Sequence, residues 1–312
     1  MDHYENIRQQ IHGPVMGMLT PFSEDGEVDL GSLPTYVEHL IGAGLRLLAF
    51  SPMVSSVYVQ TSAEVLAVAA ETKQIAGERA LVLATTRGDT PHETYDLIAK
   101  LEKHQLDGVF VFPGWFGPKP HIYVDLLTNC CDCTSMPIFA FQVCVDFDRR
   151  LGGLPWMTMD LWEQLAENAQ IVGLKDDTGN IELRKTIAKK FPRRFVIVGP
   201  GFTDRYIQVH DLPCQAELTS IAYLDPEKEV QFHKLYDAGK LPDAFAILHR
   251  ASDTASQIRQ RVRTPWDIGI HQALAHLRGF LASPALRAPL PSLSDGQIET
   301  VKELLAQFLE KP

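Results

Sequence analysis

Short β-prone runs recur along this chain, each separated from the next by a stretch of helical length. They fall at 15–19, 47–50, 80–84, 108–112, 138–141, 171–175, 195–198 and 217–219. The first seven are apolar almost throughout, the mark of strands covered on both faces; the eighth is short and weak. Amphipathic segments fill the gaps. "LGSLPTYVEHLIGAG" (30–44) spaces Leu33, Val37, Leu40 and Ile41 on one helical face and stops at Gly44. "TSAEVLAVAAETKQIAG" (61–77) offers Ser62 as its N-cap, and in "TPHETYDLIAKLEKHQL" (90–106) Thr90 caps a helix whose first residue is Pro91. Residues 158–169 and 180–191 follow the same pattern. Apolar strands alternating with helices imply a parallel sheet under helical cover. Seven or eight such units within about 220 residues favour a closed (β/α)₈ TIM barrel over an open sheet. The expectation is a barrel over residues 1–222, with helices over 223–312 completing the same domain.

Composition limits the function classes. The chain has 312 residues, 45% hydrophobic and 22% charged, as an ordinary globular protein does. A net charge of −10 argues against nucleic acid or an anionic membrane as the main partner. "MDHYENIRQQIHGP" lacks a basic region followed by an apolar core, and no apolar run reaches the roughly 18 residues of a spanning helix. Five cysteines do not suggest a disulfide framework, so a cytoplasmic location is the expectation.

One apolar run ends in a charge. "IVGLK" (171–175) closes the sixth strand on Lys175, where the C-terminal mouth of a barrel would lie. Lysine is rarely buried without a partner. Desolvation in a barrel mouth disfavours the ammonium, and a free amine attacks carbonyl groups. The competing reading is a strand-end salt bridge from Lys175 to Asp176 or Asp177.

The stretch "GLKDDTGN" resembles the G-[IVL]-K-D-x-[ST]-G-[DN] signature of the dihydrodipicolinate synthase/N-acetylneuraminate lyase family, class I aldolase-type (β/α)₈ barrels. The resemblance runs nearly end to end: "GPVMGMLTPFSEDGEVD" (13–29), "DGVFVFPGW" (107–115), "MPIFAFQV" (136–143), "VIVGPGFTD" (196–204) and "SPALRAPLPSLSDGQ" (283–297) resemble family segments in family order. It implies that Lys175 forms a Schiff base with a 2-oxo acid such as pyruvate. No cofactor or metal would be required. It also implies a homo-oligomer, since relatives are tetramers or dimers.

The departures from the family pattern are specific. The family's G-T-T-G-E aligns with Pro52, Met53, Val54, Ser55 and Ser56, so both threonine hydroxyls are missing, although backbone amides at 53–55 remain to hold a carboxylate. The proton-relaying tyrosine of the fifth strand aligns with Phe141, and the neighbouring asparagine and proline positions read Gln142 and Cys144. Gly114 and Trp115 stand where the synthases carry an aromatic pair. The synthase's arginine falls near Asp146, with Arg149 and Arg150 close by. Phenylalanine neither donates nor accepts a proton, so dihydrodipicolinate synthase activity itself is not expected. The aligned substrate pocket comprises Met53, Val54, Ser55, Trp115, Phe141, Gln142 and Gly201, with Phe112 beside them and Ser51, Ser56 and Tyr58 as further polar candidates. Such a lining suits an apolar 2-oxo acid or aldehyde. A catalytically lapsed barrel that binds a carbonyl metabolite or a protein partner is the alternative.

Other motifs have plainer readings. Cys130, Cys131 and Cys133 lie on an expected helix, where they do not converge on one ligand point. His271 and His276 are five apart, off the helical metal spacing, and read as solvated or packed. Arg87 either meets an anion or pairs with Asp89.

Overall fold

A computed structural model describes residues 3–114, 120–142, 157–178, 180–201 and 206–310. Eight parallel strands close into a barrel in chain order, with β1 beside β8. They are β1 (Gly13–Gly17), β2 (Leu47–Ala49), β3 (Leu81–Thr85), β4 (Gly108–Val111), β5 (Ile138–Gln142), β6 (Ile171–Asp176), β7 (Val196–Gly199) and β8 (Gln215–Leu218). The barrel expected from the alternating pattern is thus present. The eighth strand starts two residues earlier than its sequence suggested, because the polar Gln215 pairs with Ile197 of β7.

The helices among the described residues are α1 (His3–Gln10), α2 (Leu33–Ala43), α3 (Ser62–Ala76), α4 (Pro91–Lys103), α5 (Pro120–Cys131), α6 (Met159–Glu167) and α7 (Ile181–Lys190), then α8 (Pro226–Asp237), α9 (Leu241–Val262), α10 (Ile268–Leu277) and α11 (Asp295–Glu310). Gly44 ends α2 at φ 106°, a left-handed stop that glycine adopts without strain. Helix α3 is capped one residue before the expected Ser62. Thr61 Oγ1 accepts from Glu64 N–H while the Glu64 carboxylate accepts from Thr61 N–H, a reciprocal box that T-x-x-E provides and Ser62 cannot. Thr90 caps α4 in the same way through Glu93.

Two apolar layers hold the barrel. The lumen is filled by Val15, Ala49, Leu83, Phe110, Phe139, Phe141, Val172, Val196, Val198 and Leu218, among others, joined by Ile7 of helix α1 and by Ile11 just past its end. That helix went unpredicted; the i, i+4 spacing of Ile7 and Ile11, the residue just past its end, was the signal. The larger outer layer lies between strands and helices. A third cluster joins α8 to α11. Arg287, in the loop before α11, ties this C-terminal part to the barrel: it donates to both Glu64 oxygens (2.6 and 2.9 Å) and to the Val59 carbonyl (3.1 Å). Those bonds hold the Glu64 carboxyl down at about 2, well below the usual carboxylate range.

Candidate active site

Strand β6 delivers Lys175 to the lumen through an irregularity. Val172 packs in the lumen and Leu174 in the outer layer, so strict alternation cannot hold between them. The break is visible in the pairing with β5: Ile138 faces Ile171, but Phe139 faces Gly173. One extra residue in β6 reverses the phase, as a bulge does. Beyond it Lys175 is in register with Phe141 on one side and Val198 on the other, both lumen residues. Gly173 fits the bulge because an added Cβ would lie 2.4 Å from the Val196 carbonyl oxygen and 2.9 Å from the Phe139 ring.

The Lys175 side chain is 1% exposed. Its Nζ donates to Asp177 Oδ1 and sits 5.7 Å from the centre of the Phe141 ring. The strand-end salt bridge and the lumen position are therefore both realised. Asp177, 24% exposed, is held by its own backbone, whose N–H donates to the Gln142 carbonyl at 2.8 Å. Asp176 points the other way. It is fully buried, and desolvation raises its carboxyl above the usual range; one oxygen accepts from Thr178 N–H at 3.0 Å. The other has no partner among the described residues. Gln142 is in register with Asp176, and strand alternation sets it on the face opposite Phe141. Both polar atoms of its buried side chain lack partners among the described residues.

The turn after β2 is built from its own hydrogen bonds. Ser55 N–H donates to Ser51 O (2.9 Å), Ser56 N–H to Met53 O (3.1 Å), and Ser55 Oγ bridges Ser51 N–H and Met18 O. Of the three amides expected to meet a carboxylate, that of Ser55 is thus committed to the turn. Met53 and Val54 are half-buried, and no intramolecular bond from their amides is seen among the described residues. Phe112 meets Phe141 edge-on, with centroids 5.1 Å apart. Burial pushes the Tyr58 phenol up to about 12; its hydroxyl lacks a partner among the described residues, and Trp266 is its ring neighbour at 6.1 Å. Trp115, Cys144, Asp146, Arg149 and Arg150 lie outside the described residues.

The loop after β7 rests on a buried ion pair that sequence reading missed. Arg184 of α7 reaches Glu217 of β8 at 2.9 Å, with side chains 1% and 3% exposed, and also donates to Gln215. Glu217 in turn accepts from Gly201 N–H at 2.8 Å. Only glycine fits at 199, since a Cβ there would lie 2.0 Å from Glu217 and 2.3 Å from Arg184. The "GPG" of the sequence was the visible trace of this arrangement.

Other candidates fall away from the lysine. Helix α5 ends at Cys131, so Cys133 lies beyond it; burial pushes the Cys131 thiol up to about 11 and Cys130 higher still. Arg87 pairs with Asp89 at 2.9 Å. His276 bonds the Leu281 carbonyl, and His271 stacks on Tyr223. No helix of the described residues is long and apolar enough to cross a membrane.

Comparison with known proteins bears on the family and the fold. The chain is 22% identical over 283 residues to the 4-hydroxy-tetrahydrodipicolinate synthase of Bdellovibrio bacteriovorus, covering 90% of this chain and 92% of that protein. It is 24% identical over 281 residues to a "Probable 5-dehydro-4-deoxyglucarate dehydratase" of Xanthobacter autotrophicus, covering 88% and 89%. The crystal structure of N-acetylneuraminate lyase from Fusobacterium nucleatum, complexed with pyruvate, superposes with a TM-score of 0.81 at 19% identity, covering 96% of this chain and 97% of that one. The profile of the dihydrodipicolinate synthetase family matches residues 10–308, and the chain belongs to that family.

Proposed function

We propose that the protein is a lyase of aldolase or dehydratase type that captures a 2-oxo acid as an imine on Lys175, and that it departs in substrate from the synthases. The observation that carries this reading is a primary amine, 1% exposed, held in the barrel lumen with a carboxylate in contact. Family relatives with lyase names support it.

The two side chains divide the work. Asp177 takes a proton from the Lys175 ammonium, and the free amine adds to C2 of the oxo acid. The new alkoxide receives that proton from Asp177 to give the carbinolamine; the carboxylate then takes a second proton from the nitrogen and passes it to the hydroxyl, which leaves as water and gives the iminium. For a 4-hydroxy-2-oxo acid, Asp177 next accepts the 4-hydroxyl proton. The C3–C4 bond breaks toward the iminium, an aldehyde departs, and the enamine remains on Lys175. Protonation at C3 by Asp177 and addition of water return the ketone, the Lys175 ammonium and the Asp177 carboxylate. A dehydratase would start from the same imine. Phe141, in register with Lys175, supplies no proton but dries the site, which strengthens each charge interaction there. Amides 53 and 54 would hold the substrate carboxylate.

Cleavage assays on a panel of 4-hydroxy-2-oxo acids, with Lys175→Ala as control, test the proposal. Aldehyde release that disappears in the variant supports it. Binding without turnover favours the lapsed barrel.

A further inference from the structure

A cavity of about 400 Å³ lies between the barrel rim and helices α9 and α10. Pockets of about 300–1,000 Å³ accommodate small-molecule ligands. Two residues placed at the site by sequence, Val54 and Gly201, line it, and so does Leu218, which belongs to the same lumen cluster as Phe141 and Val198 beside Lys175. The cavity thus shares Leu218 with the lumen cluster, while Lys175 itself is not among its lining residues.

Its inner wall is apolar: Leu224, Leu248, Ile258, Ile270 and Leu274 face it, with Ala251 and Ala255 leaving the space. Most of its polar groups are occupied or peripheral. Arg259 and Asp267 are exposed and paired with each other at 3.5 Å, and Ser252 is exposed. Thr219 Oγ1 is directed at the Met16 sulfur, 3.4 Å away. Ser220, also on the wall, has an interaction of its own. The Tyr223 phenol donates to the Gly17 carbonyl at 2.9 Å, and its ring lies flat on His271 with centroids 3.8 Å apart. The buried His271 Nδ1 has no partner among the described residues, so this wall offers one seat for a single hydroxyl or carbonyl. A tail bearing several hydroxyls would give up its water here for few partners, and each unmatched buried polar group is costly.

We infer that the cavity receives the part of the substrate beyond C4, and that this part is an aryl or branched alkyl tail rather than a polyhydroxylated one. The inference rests on the imine reading above and names the substrate class of the same site. In the cleavage direction the aldehyde that leaves is then aromatic or branched aliphatic.

The experiment has two arms. Borohydride trapping with pyruvate, read as a mass increment on Lys175, reports the imine alone. Steady-state cleavage of 4-hydroxy-2-oxo acids carrying either a phenyl or a trihydroxypropyl group at C4 reports the tail. The expected result is a kcat/KM ratio favouring phenyl by about tenfold or more, as differences of a few apolar carbons give. Ala255→Phe, which fills the cavity, should reduce that ratio at least tenfold in protein whose thermal midpoint shows it folded. A pyruvate adduct together with an equal or reversed ratio overturns the tail assignment and leaves the imine standing. A ratio indifferent to Ala255→Phe overturns the location. Absence of the adduct overturns the imine reading itself.

Discussion

Replacing Asp177 by asparagine keeps the size and the backbone bond to Gln142 O while removing the only carboxylate shown on the Lys175 amine among the described residues. Positioned acid–base groups are worth about 10²–10⁴ in rate, or about 2.7–5.4 kcal/mol of barrier. Asp177 is 24% exposed, so water can reach its place and stand in for it in part. Asp176 cannot, because it projects to the other face of β6. The loss expected for Asp177→Asn is therefore in the lower half of that range, about 10²–10³. The assay is imine formation with pyruvate, quenched by borohydride at timed intervals across pH 5–9. The variant's rate should climb with pH, because hydroxide must then take the proton, and added formate should restore part of it. A variant that forms the imine within about threefold of the natural protein at every pH would refute the assigned role.

Two further expectations concern stability. Arg184→Met leaves the buried Glu217 without its cation and should cost about 3–5 kcal/mol, lowering the thermal midpoint by about 10 °C; the double variant with Glu217→Gln should recover much of it, and a loss below about 1 kcal/mol would show that the pair is dispensable. Burial disfavours the His271 cation and pushes the imidazole down to about 3, from an ordinary value of 6.5. The unfolded chain thus binds the extra proton first, so stability is full above about 6.5 and falls by up to about 1.4 kcal/mol per pH unit down to about 3. His271→Phe should flatten that slope in thermal melts between pH 4 and 7, and an unchanged slope would contradict the buried neutral imidazole.

The barrel was legible because most of its strands are buried on both faces and so appear as uninterrupted apolar runs, some followed by helix-capping residues such as Thr90–Pro91. Lys175 was legible as a charge closing such a run. What the sequence hid depends on three-dimensional register. Alternation counted from Val172 would send Lys175 out of the lumen, and only the bulge reverses it, with Gly173 as its sole trace. A two-residue spacing could not decide between Asp176 and Asp177 as the partner, because that choice follows from the same reversal. The Arg184–Glu217 pair spans 33 residues and joins a helix to a strand, a contact that no local pattern announces. Helix α1 was missed because only two of its residues, Ile7 and Arg8, are buried.

Mass spectrometry of the protein after borohydride reduction with pyruvate tests the central assignment most directly. A single adduct on the peptide containing Lys175, absent from Lys175→Ala, is the predicted result. An unmodified Lys175 with every 2-oxo acid and aldehyde tried would contradict it.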